Sequence, residues 1–236
     1  MVAVVFGTSG GIGGELARQL AERSAEPVFG VSRSEASGLP GVTPLRADLT
    51  DETALANVAT TLSEAGEVTL AIVATGLLSD GDVLQPEKTY KQQSLAAFEA
   101  VFAANTIGPA LAAKHILPLM PRKGRAVFAA LSARVGSISD NRMGGWHAYR
   151  ASKAALNMLI RNYAIEIGRR NNQFIAVGLH PGTVDTSLSK PFQGNVQDKK
   201  LFTPEYSASA LLDVVDTLTP DQSGNVYDYA GQLVPA

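Results

Sequence analysis

The chain has 236 residues, 45% hydrophobic and 18% charged, which suits one large α/β domain with an ample apolar core. The formal net charge of −2 argues against nucleic acid and anionic membranes as partners, and the absence of cysteine excludes disulfides, thiol nucleophiles and thiolate metal sites. Three scattered histidines show no metal-ligand spacing and no apolar run approaches the roughly 20 residues of a membrane span, so we expect a cytoplasmic protein without a metal.

A glycine-rich turn follows the first predicted strand, which covers residues 1–6 and is apolar and β-branched. Four of the seven residues 7–13 are glycine, and apolar residues at helical spacing continue to about residue 24. Glycines let a pyrophosphate approach the backbone, and the following helix offers free N–H groups at its N-terminus. The pattern favours nucleotide binding over the alternative of a merely flexible turn.

The second predicted strand covers residues 27–31. In a dinucleotide-binding fold, the residue after this strand distinguishes NAD from NADP. An acid at this place binds the ribose 2′-hydroxyl, whereas an arginine accommodates a 2′-phosphate. Ser32 and Arg33 occupy it, and the first acid is Glu35. Because Arg33 can pair with a phosphate bidentately, we predict NADP in preference to NAD, with NAD possible. Arg33 as an ordinary solvated residue is the competing interpretation.

Two further strands are predicted, at residues 42–47 and 67–74, and the second is apolar enough to be central. Asp48 follows the first of these and could accept a hydrogen bond from an adenine amino group. It could equally be a local cap, since a helix begins near residues 50–53. The central strand ends at Ala74 and Gly76, where the backbone could pass close to a cofactor ribose.

Residues 77–94 lack periodicity, and a loop of that length in a compact domain is usually functional or mobile. A helix is predicted from residue 95 to about 119, with Asn105 inside it and a kink at Pro109. Asn105 either faces water or uses its amide for another group.

The fifth predicted strand, residues 125–131, delivers Ser132 at its carboxyl end, on the same edge of the sheet as the glycine turn. After a polar loop, a helix over residues 149–170 carries Tyr149 and Lys153. Four residues apart, these two share one helix face, and an ammonium beside a phenol is expected to lower the pKa of the phenol. The alternative is a packed tyrosine and a solvated lysine.

The remaining elements are a sixth strand at 174–179, a helix at 204–218 capped by Thr203, and a seventh strand at 224–229. Residues 185–203 lack a regular pattern and suit a substrate lid. Strands and helices alternate throughout, which predicts one doubly wound sheet spanning residues 1–236.

These motifs resemble the short-chain dehydrogenase/reductase family in order and over nearly the full length. Phe6 stands where the family's glycine motif usually has threonine, and residues 132–138 with 144–146 resemble the C-factor and sniffer-like carbonyl reductase branch. The matched positions are Gly7, Gly11, Gly13, Gly76, Asn105, Tyr149, Lys153, Pro181 and Gly182.

The resemblance implies a Rossmann-type parallel sheet of about seven strands with helices on both faces. It implies reversible hydride transfer between the nicotinamide and a carbonyl or alcohol carbon, in a homodimer or homotetramer. Tyr149 would be the general acid, Lys153 would depress its pKa and bind the nicotinamide ribose, and Asn105 would hold a water linked to Lys153. Cofactor contacts are expected at Gly7, Ser9, Gly11, Ile12, Gly13, Ser32, Arg33, Asp48, Leu49, Ala74, Gly76, Tyr149, Lys153, Pro181, Gly182, Val184 and Thr186.

The serine that orients the substrate oxygen has two candidates. Ser132 precedes Tyr149 by 17 residues and Ser137 by 12, and the family's usual spacing is nearer to that of Ser137. Ser132 is preferred because it ends the fifth strand, where family members place this residue. A second departure is that only Gly76 remains of the family's Asn-Asn-Ala-Gly motif.

Two alternatives to a carbonyl reductase stay open: a nucleotide-binding regulator or signalling protein with weak or no turnover, and a dehydratase or epimerase. The expected pocket wall is mainly apolar and suggests a hydrophobic aldehyde or ketone; it comprises Trp146, His147, Leu188 and Phe192. His147 and His180 are expected to be structural rather than catalytic.

Overall fold

In the part of the chain that the structure describes, seven parallel strands build one sheet, which confirms the predicted doubly wound sheet. From one edge to the other, these strands begin at residues 42, 28, 2, 68, 126, 174 and 226. The computed structural model describes residues 1–34, 38–81, 83–195 and 201–236. The strands are β1 (Val2–Phe6), β2 (Val28–Ser32), β3 (Val42–Arg46), β4 (Val68–Val73), β5 (Ala126–Leu131), β6 (Phe174–His180), β7 (Thr183–Val184), β8 (Leu201–Phe202) and β9 (Val226–Asp228).

Helices cover both faces of this sheet. They are α1 (Gly11–Arg23), α2 (Glu52–Ala65), α3 (Leu95–Phe102), α4 (Gly108–Ile116), α5 (His147–Gly168) and α6 (Pro204–Thr217). One apolar core lies between the sheet and α2, α4 and α5, and a second lies between the sheet and α1 and α6. The central strands β1 and β5 are buried along their whole length, because both of their faces are covered.

The predicted helix over residues 95–119 is interrupted. A π-helical turn, Ala103–Ile107, separates α3 from α4, and Pro109 lies in the first turn of α4, where its missing N–H is tolerated. The irregular turn thus lies directly before Pro109 and contains Asn105, the residue whose carbonyl the proline cannot bond.

The same segment corrects one expectation from the sequence. Residues Leu95–Leu119 form a run of 25 residues that is long and apolar enough to cross a membrane, by length and composition alone. A third of the most apolar window is buried, and the segment packs against α2 and α5. Core helices pass the same test, so this is weak evidence for a membrane span.

The segment predicted as a lid, residues 185–203, is partly regular. It contains a 3₁₀ stretch, Lys190–Asn195, and strand β8, which pairs in parallel with β7. Residues 196–200 of this predicted lid lie outside the described residues, as does Glu35. Thr203 caps α6 as predicted, accepting the Tyr206 N–H at 3.2 Å.

Helix α1 crosses the glycine turn at backbone contact, and Gly13 is what allows it. A Cβ on Gly13 would lie 2.2 Å from the carbonyl oxygen of Gly7. We predict that Gly13→Ala destabilises the fold by at least about 1–3 kcal/mol, because neither backbone segment can move without opening the sheet edge. Urea unfolding would measure the change.

Gly168→Ala is the matched control, since nothing lies within 4 Å of a Cβ at this helical glycine. It should leave stability unchanged or raise it by up to about 1 kcal/mol. Equal stability in the two variants would contradict the close crossing.

Candidate active site

The carboxyl ends of β1, β4 and β5 meet on one edge, as the parallel topology requires. Gly7 follows β1 with φ +91°, and a Cβ there would lie 3.1 Å from the carbonyl of Ala74, which follows β4. Gly76 lies two residues after Ala74, and a Cβ there would lie 3.8 Å from Lys153 Nζ. The glycines of these two strand ends and the lysine of α5 therefore border one space.

The glycine turn leaves the N-terminus of α1 free. Among the residues that the structure describes, no side chain caps this helix. Its first turn holds no acid, and Ser9, Gly10 and Gly11 are exposed. The methyl group of Thr186 lies 3.1 Å from where a Cβ of Gly11 would be, so the segment after Pro181 reaches the turn. An uncapped N-terminus with exposed glycines fits the pyrophosphate of a dinucleotide.

Two arginines lie beside each other where the neighbouring strands β2 and β3 end. Arg33 is exposed, and its carbonyl accepts a hydrogen bond of 3.2 Å from Nε of Arg46, the last residue of β3. Sequence reasoning singled out Arg33 but missed Arg46, which only the pairing of β2 with β3 brings beside it. Ser32, which is buried, donates its hydroxyl to the Ser34 carbonyl.

Asp48 closes a local turn before α2, and the N-cap of that helix is Asp51, whose carboxylate accepts the Thr53 and Ala54 N–H groups. The Asp48 carboxylate accepts the N–H and the hydroxyl of Thr50, at 2.9 and 2.7 Å. These bonds, with a smaller contribution from the charge of Arg33, lower the pKa of Asp48. Leu49, beside it, packs against Gly108 at the start of α4.

Asn105 is fully buried, and its amide is hydrogen-bonded on both sides. Oδ1 accepts the Leu77 N–H at 2.7 Å, while Nδ2 donates to the Leu77 carbonyl at 2.8 Å and to Ser152 Oγ at 3.1 Å. The amide therefore joins the π-helical turn to the start of the 77–94 segment and to α5. Two alternatives were expected for Asn105: a side chain exposed to water, or an amide hydrogen-bonded to another group. The structure shows the second.

Tyr149 and Lys153 lie in the first two turns of α5 and are 8% and 2% exposed. Lys153 Nζ lies 5.9 Å from the centre of the Tyr149 ring and donates to the Leu131 carbonyl at 2.7 Å. Burial lowers the pKa of Lys153 to about 8 and raises the pKa of Tyr149 to about 12. The shift of the Tyr149 pKa is opposite to the expected one, because removal from water disfavours the charged phenolate.

Neither candidate serine hydrogen-bonds to Tyr149 among the described residues. Ser132 Oγ donates to Asn157 Oδ1 at 2.6 Å, one turn beyond Lys153 on α5. Ser137 Oγ lies 3.4 Å from the carbonyl oxygen of Ala236 and accepts the Asp140 N–H at 3.1 Å. Both hydroxyls are buried and engaged with other partners.

An aromatic group stands beside the tyrosine. The Trp146 ring lies 5.2 Å from that of Phe192 and 6.3 Å from that of Tyr149. The same apolar cluster includes Leu188 and Ala133. Three of the four predicted wall residues are thus brought together around Tyr149, while His147 is half-buried as the first residue of α5.

His180 ends β6. Burial lowers its pKa to about 4, outweighing the opposing charge of Asp228, so the imidazole is neutral at physiological pH. Its Nδ1 is buried and has no hydrogen-bond partner among the described residues.

Comparison with known proteins agrees with this geometry. A family model described as short chain dehydrogenase matches residues 1–197, more than four-fifths of the chain. The chain belongs to the short-chain dehydrogenase family. It is therefore an oxidoreductase with a nicotinamide cofactor and a small-molecule substrate.

Curated relatives of this short-chain dehydrogenase support the assignment. It is 30% identical over 231 residues to 1-hydroxy-2-glutathionyl-2-methyl-3-butene dehydrogenase of Rhodococcus sp. (strain AD45), covering 94% of this chain and 93% of that protein. It is 37% identical over 134 residues to the C-signal of Myxococcus xanthus, covering 57% of this chain and 75% of that protein.

Two solved carbonyl reductases share the fold. The NADPH-bound enzyme from chicken fatty liver superimposes with a TM-score of 0.84 at 24% identity, covering 100% of this chain and 94% of that one. Sniffer of Drosophila melanogaster gives 0.83 at 20% identity, covering 100% and 98%. The resemblance of the sequence to the C-factor and sniffer-like branch is confirmed.

The buried lysine of this dehydrogenase yields a pH-dependent prediction. Because the pKa of Lys153 is lower in the folded chain than in the unfolded one, its charge destabilises the fold at pH 7, and this effect diminishes between pH 8 and 10.5. Lys153→Met should therefore stabilise the protein at pH 7. The net gain should be on the order of 1–2 kcal/mol, once the lost hydrogen bond to the Leu131 carbonyl is subtracted. The difference from wild type should shrink as pH rises through that window.

Urea unfolding at pH 7 and pH 10 would measure the stabilisation and its decrease with pH. The range ends at pH 10 because the raised pKa of Tyr149 lowers the stability of the fold above that pH. Lys114→Met is the control, since Lys114 is exposed and pairs with Glu52 at the surface. A difference between Lys153→Met and wild type that stays constant over this range would contradict the assigned shift.

Proposed function

We propose that this protein is an NADP-dependent carbonyl reductase that interconverts a hydrophobic aldehyde or ketone and its alcohol. The observation that carries the proposal is the buried Tyr149–Lys153 pair on α5, beside Gly76 and bordering the strand edge that holds the uncapped glycine turn. A proton donor and a dinucleotide site on one edge are what hydride transfer to a carbonyl needs.

We assign the cofactor contacts to residues along this edge. Gly7, Ser9, Gly11, Ile12 and Gly13 would hold the pyrophosphate at the N-terminus of α1. The bound nicotinamide would supply the hydride. Further contacts are proposed at Ser32, Arg33, Asp48, Leu49, Ala74, Gly76, Pro181, Gly182, Val184 and Thr186, together with Tyr149 and Lys153.

The pKa values of Tyr149 and Lys153 support Tyr149 as the proton donor. A phenol that keeps its proton up to about pH 12 is fully protonated at neutral pH, and it would protonate the alkoxide that develops on the substrate oxygen. The Lys153 ammonium, with a pKa of about 8, is the stronger acid of the two, so it favours return of a proton to the phenolate. Lys153 would also bind the nicotinamide ribose.

Ser132 stays the proposed hydroxyl for orienting the substrate oxygen. To reach it, Oγ would rotate away from Asn157, with which it now pairs. Asn105 would use the remaining lone pair of Oδ1 to hold the water linked to Lys153, since its other hydrogen-bonding sites contact Leu77 and Ser152.

The apolar surroundings of Tyr149 support a hydrophobic substrate. Trp146, Leu188 and Phe192 supply large apolar surfaces on one side of the phenol. Residues 185–203 would act as the lid over this side. A homodimer or homotetramer and a cytoplasmic location stay predictions.

Tyr149→Phe should lower carbonyl reduction by at least about 10²-fold while NADPH affinity changes by less than about threefold, because only the transferable proton is removed. Loss of NADPH absorbance with a panel of aromatic and aliphatic carbonyl compounds would measure turnover. Tyr163→Phe is the control on the same helix, where the ring packs edge-on against Phe128, and it should keep wild-type activity. Activity of Tyr149→Phe within tenfold of wild type would eliminate the acid role.

Arg33→Ala should weaken NADPH binding by about 10- to 100-fold and change NADH binding by less than about threefold, since only NADPH carries the 2′-phosphate. Titration of both dinucleotides would give the two dissociation constants. Arg122→Ala, an exposed arginine near the amino end of β5, is the control. Equal losses for NADPH and NADH would remove Arg33 from phosphate recognition.

A nucleotide-binding regulator is the second candidate, because both serine hydroxyls are engaged away from Tyr149 and the C-signal is among the relatives. Tight NADPH binding with no turnover on any member of the carbonyl panel would favour it over the reductase.

A further inference from the structure

Glu87 is a buried carboxylate that the mechanism above does not use. It lies in the segment between β4 and α3 and is only 4% exposed. In the described part of the chain it forms no salt bridge. Burial of a carboxylate is unfavourable unless hydrogen bonds compensate for the lost water, so its contacts identify what it serves.

Those contacts are both with the start of α5. Both carboxylate oxygens lie 3.3 Å from the N–H of Ala148, in the first turn of the helix, and the Glu87 carbonyl accepts the Trp146 N–H at 2.5 Å. Trp146, which directly precedes α5, does not cap the helix with its own side chain. Glu87 therefore caps α5 from a segment about 60 residues earlier in the chain.

The backbone beside Glu87 is held in an unfavourable conformation. Trp146 has φ +51° and is the one non-glycine residue with positive φ in the described chain. At Gly145, which precedes it with φ +66°, a Cβ would lie 3.3 Å from the Glu87 carbonyl oxygen. A left-handed tryptophan costs roughly 1–2 kcal/mol and persists only where its surroundings hold it.

Glu87 and Tyr149 border the same narrow gap in the packing, which is too small to hold a water molecule. Its lining residues are Leu78, Leu84, Gln85, Pro86, Glu87, Ala97, Val101, Ala148 and Tyr149. Trp146, whose N–H the Glu87 backbone carbonyl accepts, packs against Tyr149 and Phe192. The Glu87 side chain thus holds Ala148, directly before the tyrosine, while its backbone carbonyl holds Trp146.

We propose that Glu87 is a positioning residue that sets the orientation of Tyr149 and Trp146 toward the substrate. The proposal rests on the proposed carbonyl reductase function. It requires a side-chain acceptor at position 87 rather than a charge, because the group that the side chain holds is the neutral backbone N–H of Ala148.

Glu87→Met and Glu87→Gln test this in the full-length protein. Methionine keeps the volume and removes the acceptor, whereas glutamine keeps an acceptor oxygen. Glu87→Met should lower kcat by at least roughly tenfold, with the NADPH dissociation constant within about twofold of wild type. Glu87→Gln should retain kcat within about threefold, and Glu64→Met, an exposed glutamate on α2, should match wild type.

Trp146 provides a readout that needs no turnover, because it is the single tryptophan in the chain. Glu87→Met should shift its emission to longer wavelength and at least double its quenching by acrylamide, while Glu87→Gln should leave both near wild type. If wild type reduces no carbonyl compound, the proposed function fails, and the fluorescence still decides the role of Glu87.

Wild-type emission and quenching in Glu87→Met would overturn the proposal, as would equal losses in the Met and Gln variants. If the Met variant does not fold, Glu87→Asp takes its place, since it keeps the charge and shortens the reach by one methylene. Wild-type quenching in Glu87→Asp would then overturn the proposal.

Discussion

The hydrogen bond from Lys153 Nζ to the Leu131 carbonyl joins helix α5 to the end of strand β5. One turn further along the helix, Asn157 accepts a hydrogen bond from the hydroxyl of Ser132, the residue that follows Leu131. These two bonds fix the height and rotation of α5 over the sheet edge. The position of Tyr149, on the same helix face, follows from them.

The segment between β4 and α3 depends on this placement of α5. Asn105 holds its beginning at Leu77, and Glu87 holds its middle at Ala148. Both attachments use backbone groups that would otherwise be buried without a partner, so the segment is set by polar contacts as much as by packing. The Asn105 amide that reaches Leu77 lies in the π-helical turn Ala103–Ile107.

The sheet and the glycine turn could be predicted because their signals are local. Buried parallel strands are continuous apolar runs, and the glycines of residues 7–13 stand between such a strand and a helical pattern. Parallel topology then brings the ends of β1, β4 and β5 to one edge without further information. The pairing of residues 183–184 with 201–202 was missed, because two-residue strands carry no periodicity.

The sequence by itself determined the family, the sheet and the Tyr149–Lys153 pair, since each depends on residue types at fixed spacing along the chain. Only the tertiary structure decided the direction of the Tyr149 pKa shift, because burial depends on everything packed around the ring. It also decided the side-chain partner of Ser132 and the contacts of Glu87. Those contacts join residues 25 and 61 positions apart, and their geometry arises only when the helix settles on the sheet.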